Sequence, residues 1–127
     1  MIKIAVFLTL FTCYVVYSAT VYSKGTNDTT VITPEEQIAV TRGKLLYEKN
    51  NCTSCHQIYG LGGYLGPELT TAYSDPSRGE QFMRAFLMAG GPRMPNFHFK
   101  KEEIDALISY FKYIDASAVS YKKPIHP

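Results

Sequence analysis

Hydrophobic and polar positions divide this chain into an apolar run, a polar link and three amphipathic segments. The run from Ile4 to Ser23 holds twenty residues without a charge, bounded by Lys3 and Lys24. As a helix it spans about 30 Å, the thickness of a bilayer's hydrocarbon core. Thr9, Thr12, Ser18 and Thr20 dilute its apolarity, but in a helix such hydroxyls can bond to the helix's own carbonyls. Tyr22 falls where an interfacial aromatic belt would lie. A cleaved signal peptide is the rival reading, with a shorter apolar core closed by a small-x-small site. Val16-Tyr17-Ser18 is a poor version of that site, so residues 1–23 read as an uncleaved transmembrane anchor. Residues 24–32 are small, polar and turn-prone, a tether that reaches about 30 Å at most.

Thr33-Pro34-Glu35-Glu36 then opens a helix. Thr33 can cap it, Pro34 suits its first position and Glu36 completes a capping box. Ile38, Thr41, Leu45, Leu46 and Tyr47 supply a stripe, and the helix is expected to run to about Asn50. Gly43 weakens it, which points to the close approach of another helix. After a glycine-rich segment, Ser77 and Glu80 read as a second capping box, with Phe82, Ala85, Phe86 and Ala89 facing inward until Gly90-Gly91-Pro92 stops the helix. The third amphipathic segment, Lys101 to Asp115, carries Ile104, Leu107, Ile108, Phe111 and Ile114 at helical spacing. No stripe continues beyond Ala116, so 116–127 reads as a surface tail. The pattern predicts an all-α domain over 33–115 behind one amino-terminal membrane helix.

Charge alters this picture little. Thirteen basic and eleven acidic residues leave no basic stripe for nucleic acid and no acidic block for a disordered tail. Such a small domain has little surface to bury, so a large apolar cofactor would help to fill its core.

Cys52-Thr53-Ser54-Cys55-His56 changes the picture more. Two cysteines three apart, followed at once by histidine, are the attachment pattern of a c-type haem. Each thiol adds to one porphyrin vinyl group, the two-residue gap lets both sulfurs reach the same ring, and the histidine is carried under the iron. A redox Cys-x-x-Cys pair wants a βαβ setting, and no β-rich run follows. A zinc site would have only His98 and His126 to complete it, and a structural disulfide gives His56 no purpose. Cys13, in the apolar run, reads as a small hydrophobe. Beside the motif, Ile58 to Leu69 sets Gly60, Gly62, Gly63 and Gly66 among Tyr59, Leu61, Tyr64, Leu65 and Pro67. This loop is read as walling one edge of the porphyrin, with a plain surface loop as the alternative.

A second axial ligand is sought in Arg93-Met94-Pro95-Asn96-Phe97-His98-Phe99. A thioether is a soft, neutral ligand that favours ferrous iron and raises the potential. Met94 is the candidate; Met83 and Met88 lie within a helix and read as core filler. His98 is the competitor, and its binding would lower the potential. Arg93 is either a partner for a haem propionate or a solvated charge.

The order of helix, Cys-x-x-Cys-His, Gly-Pro loop, Met-Pro and final helix resembles a class I cytochrome c from Thr33 to about Asp115. The resemblance implies a small fold wrapped round one covalent haem c, with small-residue contact between first and last helices at Gly43. It also implies a hydrogen bond from His56 Nδ1 to the Pro67 carbonyl, making Nε2 the iron ligand. Asn50-Asn51-Cys52, Gly60 to Tyr64, Gly66-Pro67-Glu68-Leu69-Thr70, Met94 to Phe99 and Glu103 to Leu107 are similar to the cytochrome c subunit of bacterial nitric oxide reductase. That family also has an uncleaved anchor, ending in a pattern like Thr20-Val21-Tyr22-Ser23.

The implied work is one-electron relay from an upstream donor to a large haem- and iron-bearing membrane partner, where two nitric oxide molecules become nitrous oxide. The present chain would do no bond-making itself. The implied location is the cytoplasmic (inner) membrane, single-pass, with the haem domain on the periplasmic or outer side. Two alternatives remain. One is a free-standing anchored shuttle to a terminal oxidase or nitrous oxide reductase. The other is a gas-sensing or peroxidatic cytochrome with an open iron site.

Overall fold

A computed structural model describes residues 2–25 and 32–118. These belong to two separate units, Met1–Val31 and Ile32–Pro127. Most of the expected link and of the expected tail (26–31 and 119–127) lies outside the described residues.

The first unit is helix α1, Ile2–Gly25, which ends two residues past the expected anchor. Its span Ile2–Lys24, with a mean hydropathy of 2.0, is long and apolar enough to cross a membrane. The hydroxyls of Thr9, Thr12, Thr20 and Ser23 donate to the carbonyls of Ala5, Leu8, Val16 and Ala19 at 2.7–2.9 Å. Each of these four hydroxyls is thereby satisfied within the helix, as lipid would require.

In the second unit, α2 covers Pro34–Lys49. The capping box forms as expected: Glu36 N–H donates to Thr33 Oγ1 at 3.2 Å, and Thr33 N–H donates to Glu36 Oε2 at 2.9 Å. That second bond holds the Glu36 carboxyl below its ordinary range. The inward face keeps only part of the expected stripe, Tyr47 and the half-buried Leu46. Val40, Gly43 and Tyr47 are buried, whereas Thr41 and Leu45 face solvent and Ile38 is 71% exposed. Gly43 decides the rotation, because the crossing helix packs against its bare backbone. Leu45, two residues on, lies about 200° further round.

Helix α4, Lys101–Ser117, is the crossing partner. Ile104, Leu107, Ile108, Phe111 and Ile114 are all buried, as their spacing predicts. The helix outruns its expected end at Asp115 by two residues, and Ala118 beyond it is still buried. Tyr47 meets Phe111 edge-on, with centroids 5.9 Å apart. Around this contact the core gathers Ala72, Met83, Leu87, Ile104, Leu107, Ile108 and Ile114.

Helix α3 begins at Gly79 and ends at Ala89. The capping box expected of Ser77 and Glu80 does not form. Asp75 outcompetes it, accepting the Ser77 N–H at 2.8 Å and the Ser77 hydroxyl at 2.7 Å. Glu80 instead accepts from Tyr73 Oη at 3.0 Å and Arg84 Nε at 2.7 Å. Arg84 also reaches Asp105 at 2.5 Å, tying α3 to α4. The expected inner stripe is corrected too. Met83 and Leu87 enter the core, while Ala85, Ala89 and Met88 face outward.

The glycine-rich segment holds a minimal antiparallel hairpin, β1 (Gln57–Ile58) and β2 (Leu61–Gly62), paired Gln57 to Gly62 and Ile58 to Leu61. Its turn residues Tyr59 and Gly60 have φ of 54° and 75°, the left-handed pair of a type I′ turn. Tyr59 bears that strain while its hydroxyl hydrogen-bonds to Ser117 Oγ at 2.6 Å. Two strands of two residues leave the class all-α.

Candidate functional site

The site starts where α2 stops. Asn51 takes the left-handed conformation, φ 51° and ψ 39°, and the chain then makes one tight turn over Cys52–Ser54. Ser54 N–H and Oγ both donate to the Asn51 carbonyl, at 3.0 and 2.8 Å. Cys55 and His56 N–H donate to the Cys52 carbonyl at 3.2 and 2.9 Å. One turn therefore brings Cys52, Cys55 and His56 onto a single cavity. No disulfide joins the two cysteines, and burial pushes the Cys52 thiol upward.

The glycine-rich loop folds back under this turn. Gly63 N–H donates to the Thr53 carbonyl at 2.8 Å, and Gly66 N–H to the Cys55 carbonyl at 2.7 Å. Gly66 lies flat against the imidazole; a Cβ there would fall 2.6 Å from His56 Nδ1. One residue on, the Pro67 carbonyl oxygen is 2.8 Å from His56 Nδ1. A carbonyl can only accept, so Nδ1 carries the proton and the Nε2 lone pair is left available to a metal.

The cavity measures about 760 Å³, and Leu65, Leu69, Phe82, Phe86, Leu107 and Phe111 form much of its apolar wall. That volume suits a large planar ligand. Met94 reaches the same cavity from the segment after α3. Its backbone closes a turn with Gly91, N–H to carbonyl in both directions at 2.8 and 3.2 Å. Gly90, at φ 75°, permits this, because a Cβ would press on the Met94 carbonyl oxygen at 2.8 Å.

Of the residues singled out in the sequence, Cys52, Cys55, His56, Pro67, Arg93 and Met94 all line this one cavity. Tyr64 does not. It is 88% exposed, because the loop is pinned by its glycines to the Cys52–Ser54 turn and leaves the tyrosine outside. His98 is likewise exposed and off the cavity. Its φ is 54°, and its N–H donates to Asn96 Oδ1 at 2.8 Å. Among the described residues no three His, Cys, Asp or Glu side chains converge as a zinc site would need. The sequence reading missed Tyr47 and Arg78 as lining residues. Only the Asp75-Pro76-Ser77-Arg78 turn, with opposite charges three apart, hinted that Arg78 would be held in place.

The donor set fits a covalently held porphyrin: two thiols and an oriented imidazole on one turn, a thioether on the same cavity, and an apolar wall between. Comparison with known proteins agrees. The sequence model of the cytochrome c family matches residues 40–115. The chain is 34% identical to the nitric oxide reductase C subunit of Stutzerimonas stutzeri, covering 59% of this chain and 58% of that one. Against the nitric oxide reductase C subunit of Halomonas halodenitrificans it is 32% identical, covering 61% of this chain and 59% of that one. For the Paracoccus denitrificans protein of the same name the identity is 27%, covering 82% and 75%. The match thus spans a little under three fifths of the first two relatives' length.

Proposed function

This chain belongs to the cytochrome c family, and from that membership we propose that it is a membrane-anchored, one-electron transfer subunit of a nitric oxide reductase-like complex. Family membership brings one covalently bound haem c. That haem supplies a one-electron iron couple; the rest is work for the chain's own groups.

Cys52 and Cys55 would hold the ring through two thioether bonds. His56 presents Nε2 to the iron, kept in register by Pro67 and by the flat backbone of Gly66. Met94 would offer its thioether to the iron from the same cavity. Phe86, Leu107 and Phe111 give the cavity an apolar wall against the ring. A neutral sulfur donor in an apolar cavity favours the ferrous state, as an electron acceptor requires.

The observation that carries this reading is the 2.8 Å contact between His56 Nδ1 and the Pro67 carbonyl, on a cavity that Met94 also lines. Helix α1 supplies the anchor, with the haem domain on the periplasmic or outer face. The resemblance to the C subunits of nitric oxide reductases supports a large membrane protein as the receiver of the electron.

Isolation of the full chain in mild detergent tests the assignment. A large multi-helix haem-containing subunit is expected to copurify, with a pyridine haemochrome spectrum of c-type haem at one per chain. Recovery of the chain alone, fully loaded with haem, would overturn the assignment to a complex in favour of a free anchored shuttle.

A further inference from the structure

Arg78 occupies a place in this cavity that no motif assigns to it. It closes the turn before α3 and lines the cavity, while its carboxylate partner Asp75 does not. Nε donates to Asp75 Oδ2 at 2.9 Å, Nη2 meets the same oxygen at 2.7 Å, and Nη1 donates to the Glu68 carbonyl at 3.3 Å. These contacts engage three of the five N–H donors of a guanidinium, leaving one on each terminal nitrogen. Glu68 directly follows Pro67, so Arg78 also braces the segment that orients the His56 ring.

The cavity wall is apolar, and the described residues that line it include two arginines and no carboxylate. Of the Arg78–Asp75 pair, only the cationic residue lines the cavity. Arg93, the other cation, is exposed to solvent, where water and salt screen its charge. Arg78 is only partly exposed and is held on both sides. An apolar cavity with a fixed cation at its rim suits a ligand with an apolar body and an anionic edge, and a porphyrin with its two carboxylates is such a ligand.

We infer that Arg78, fixed by Asp75 and the Glu68 carbonyl, pairs with a porphyrin carboxylate and acts as a positioning residue that raises the haem reduction potential. This rests on the haem reading above. A cation near the ring disfavours the more positive ferric state, so its removal lowers the potential.

The test uses the full-length, haem-loaded protein in detergent, with the variants Arg78→Gln, Arg78→Lys, Asp75→Asn and Arg93→Gln. Midpoint potential, melting temperature and haem content are measured on each. Arg78→Gln is expected to lower the ferrous-to-ferric ratio at fixed potential about tenfold, which is about 59 mV for a one-electron couple. Arg78→Lys keeps the charge and should retain most of the parental potential. It should still melt earlier, because an ammonium cannot reproduce the fork. Asp75→Asn should raise the potential by removing the opposing charge, and Arg93→Gln should move it less than Arg78→Gln does.

A purely bracing role predicts lower melting temperatures with unmoved potentials, or equal shifts for the Gln and Lys variants; either result overturns the inference. If Arg78→Gln loses its haem, the other two decide. A raised potential in Asp75→Asn with a near-parental Arg78→Lys supports the inference, and an unmoved Asp75→Asn overturns it. A parental protein without haem overturns the functional reading and this inference together.

Discussion

Gly43 and Ala106 sit so close that no side chain fits between them. A Cβ on Gly43 would overlap the Ala106 carbonyl oxygen and lie 2.8 Å from Tyr110 Cβ. The obstacle is partly backbone, so the two helices themselves must separate to relieve it. Better helix propensity of alanine offsets about 1 kcal/mol, against an overpacking cost of about 1–3 kcal/mol. Gly43→Ala is expected to destabilise the haem-loaded domain by up to about 2 kcal/mol in denaturant titrations. Leu45→Ala, on the opposite face of α2, should change stability by less than about 0.5 kcal/mol. Equal effects at the two positions would contradict the packing described.

Met94 and His98 separate cleanly on the cavity criterion, since only Met94 lines it. Met94→Ala is expected to abolish the weak near-infrared charge-transfer band of sulfur bound to ferric iron and to produce high-spin bands. His98→Ala should leave that band intact. Met94→His should keep the iron low-spin and lower the potential, since imidazole supports ferric iron better than a thioether. A wild-type ferric spectrum without the band would instead indicate an open iron site.

Acid should unfold the domain through carboxylates whose ionised forms are held in the native state. Asp75 is kept well below its ordinary range, first by the Ser77 hydroxyl and then by Arg78. Glu80 is lowered mainly by Arg84 and Glu36 by the Thr33 backbone. For groups depressed in this way, the stabilisation is complete above the unfolded-state pKa of about 4 and fades as pH falls through the lower native values. Melting temperature should therefore be flat near neutrality and drop in the acid limb. Asp75→Asn should lower it at neutral pH and make the acid limb shallower. An unchanged acid limb in that variant would show that other groups govern it.

Deleting residues 1–31 removes the apolar unit and leaves the second unit whole. The shortened protein, exported and loaded with haem, is expected in the soluble fraction with an unchanged absorption spectrum. The full chain should resist alkaline carbonate extraction and need detergent. Release of the full chain by carbonate alone would mean that α1 does not anchor it.

Much of this was legible along the chain, for local reasons. The Thr33–Glu36 capping box and the Cys52–His56 turn involve neighbours in sequence, so residue type and spacing determine them without help from the rest of the molecule. The stripe of α4 was legible because its inward residues repeat at helical spacing with charged residues between. The long apolar run of α1 needed only its length. The tertiary structure decided what depends on competition between distant partners. It turned α2 by its one glycine, so that Val40 joined the expected Tyr47 on the inward face while Ile38 and Leu45 were left outside. Ser77 went to Asp75 instead of capping α3, Tyr64 was left outside the cavity, and Arg78 was brought onto it. Spacing in sequence specifies which side chains share a helix face; only packing chooses which face is covered, because that choice lies with the surface that meets it.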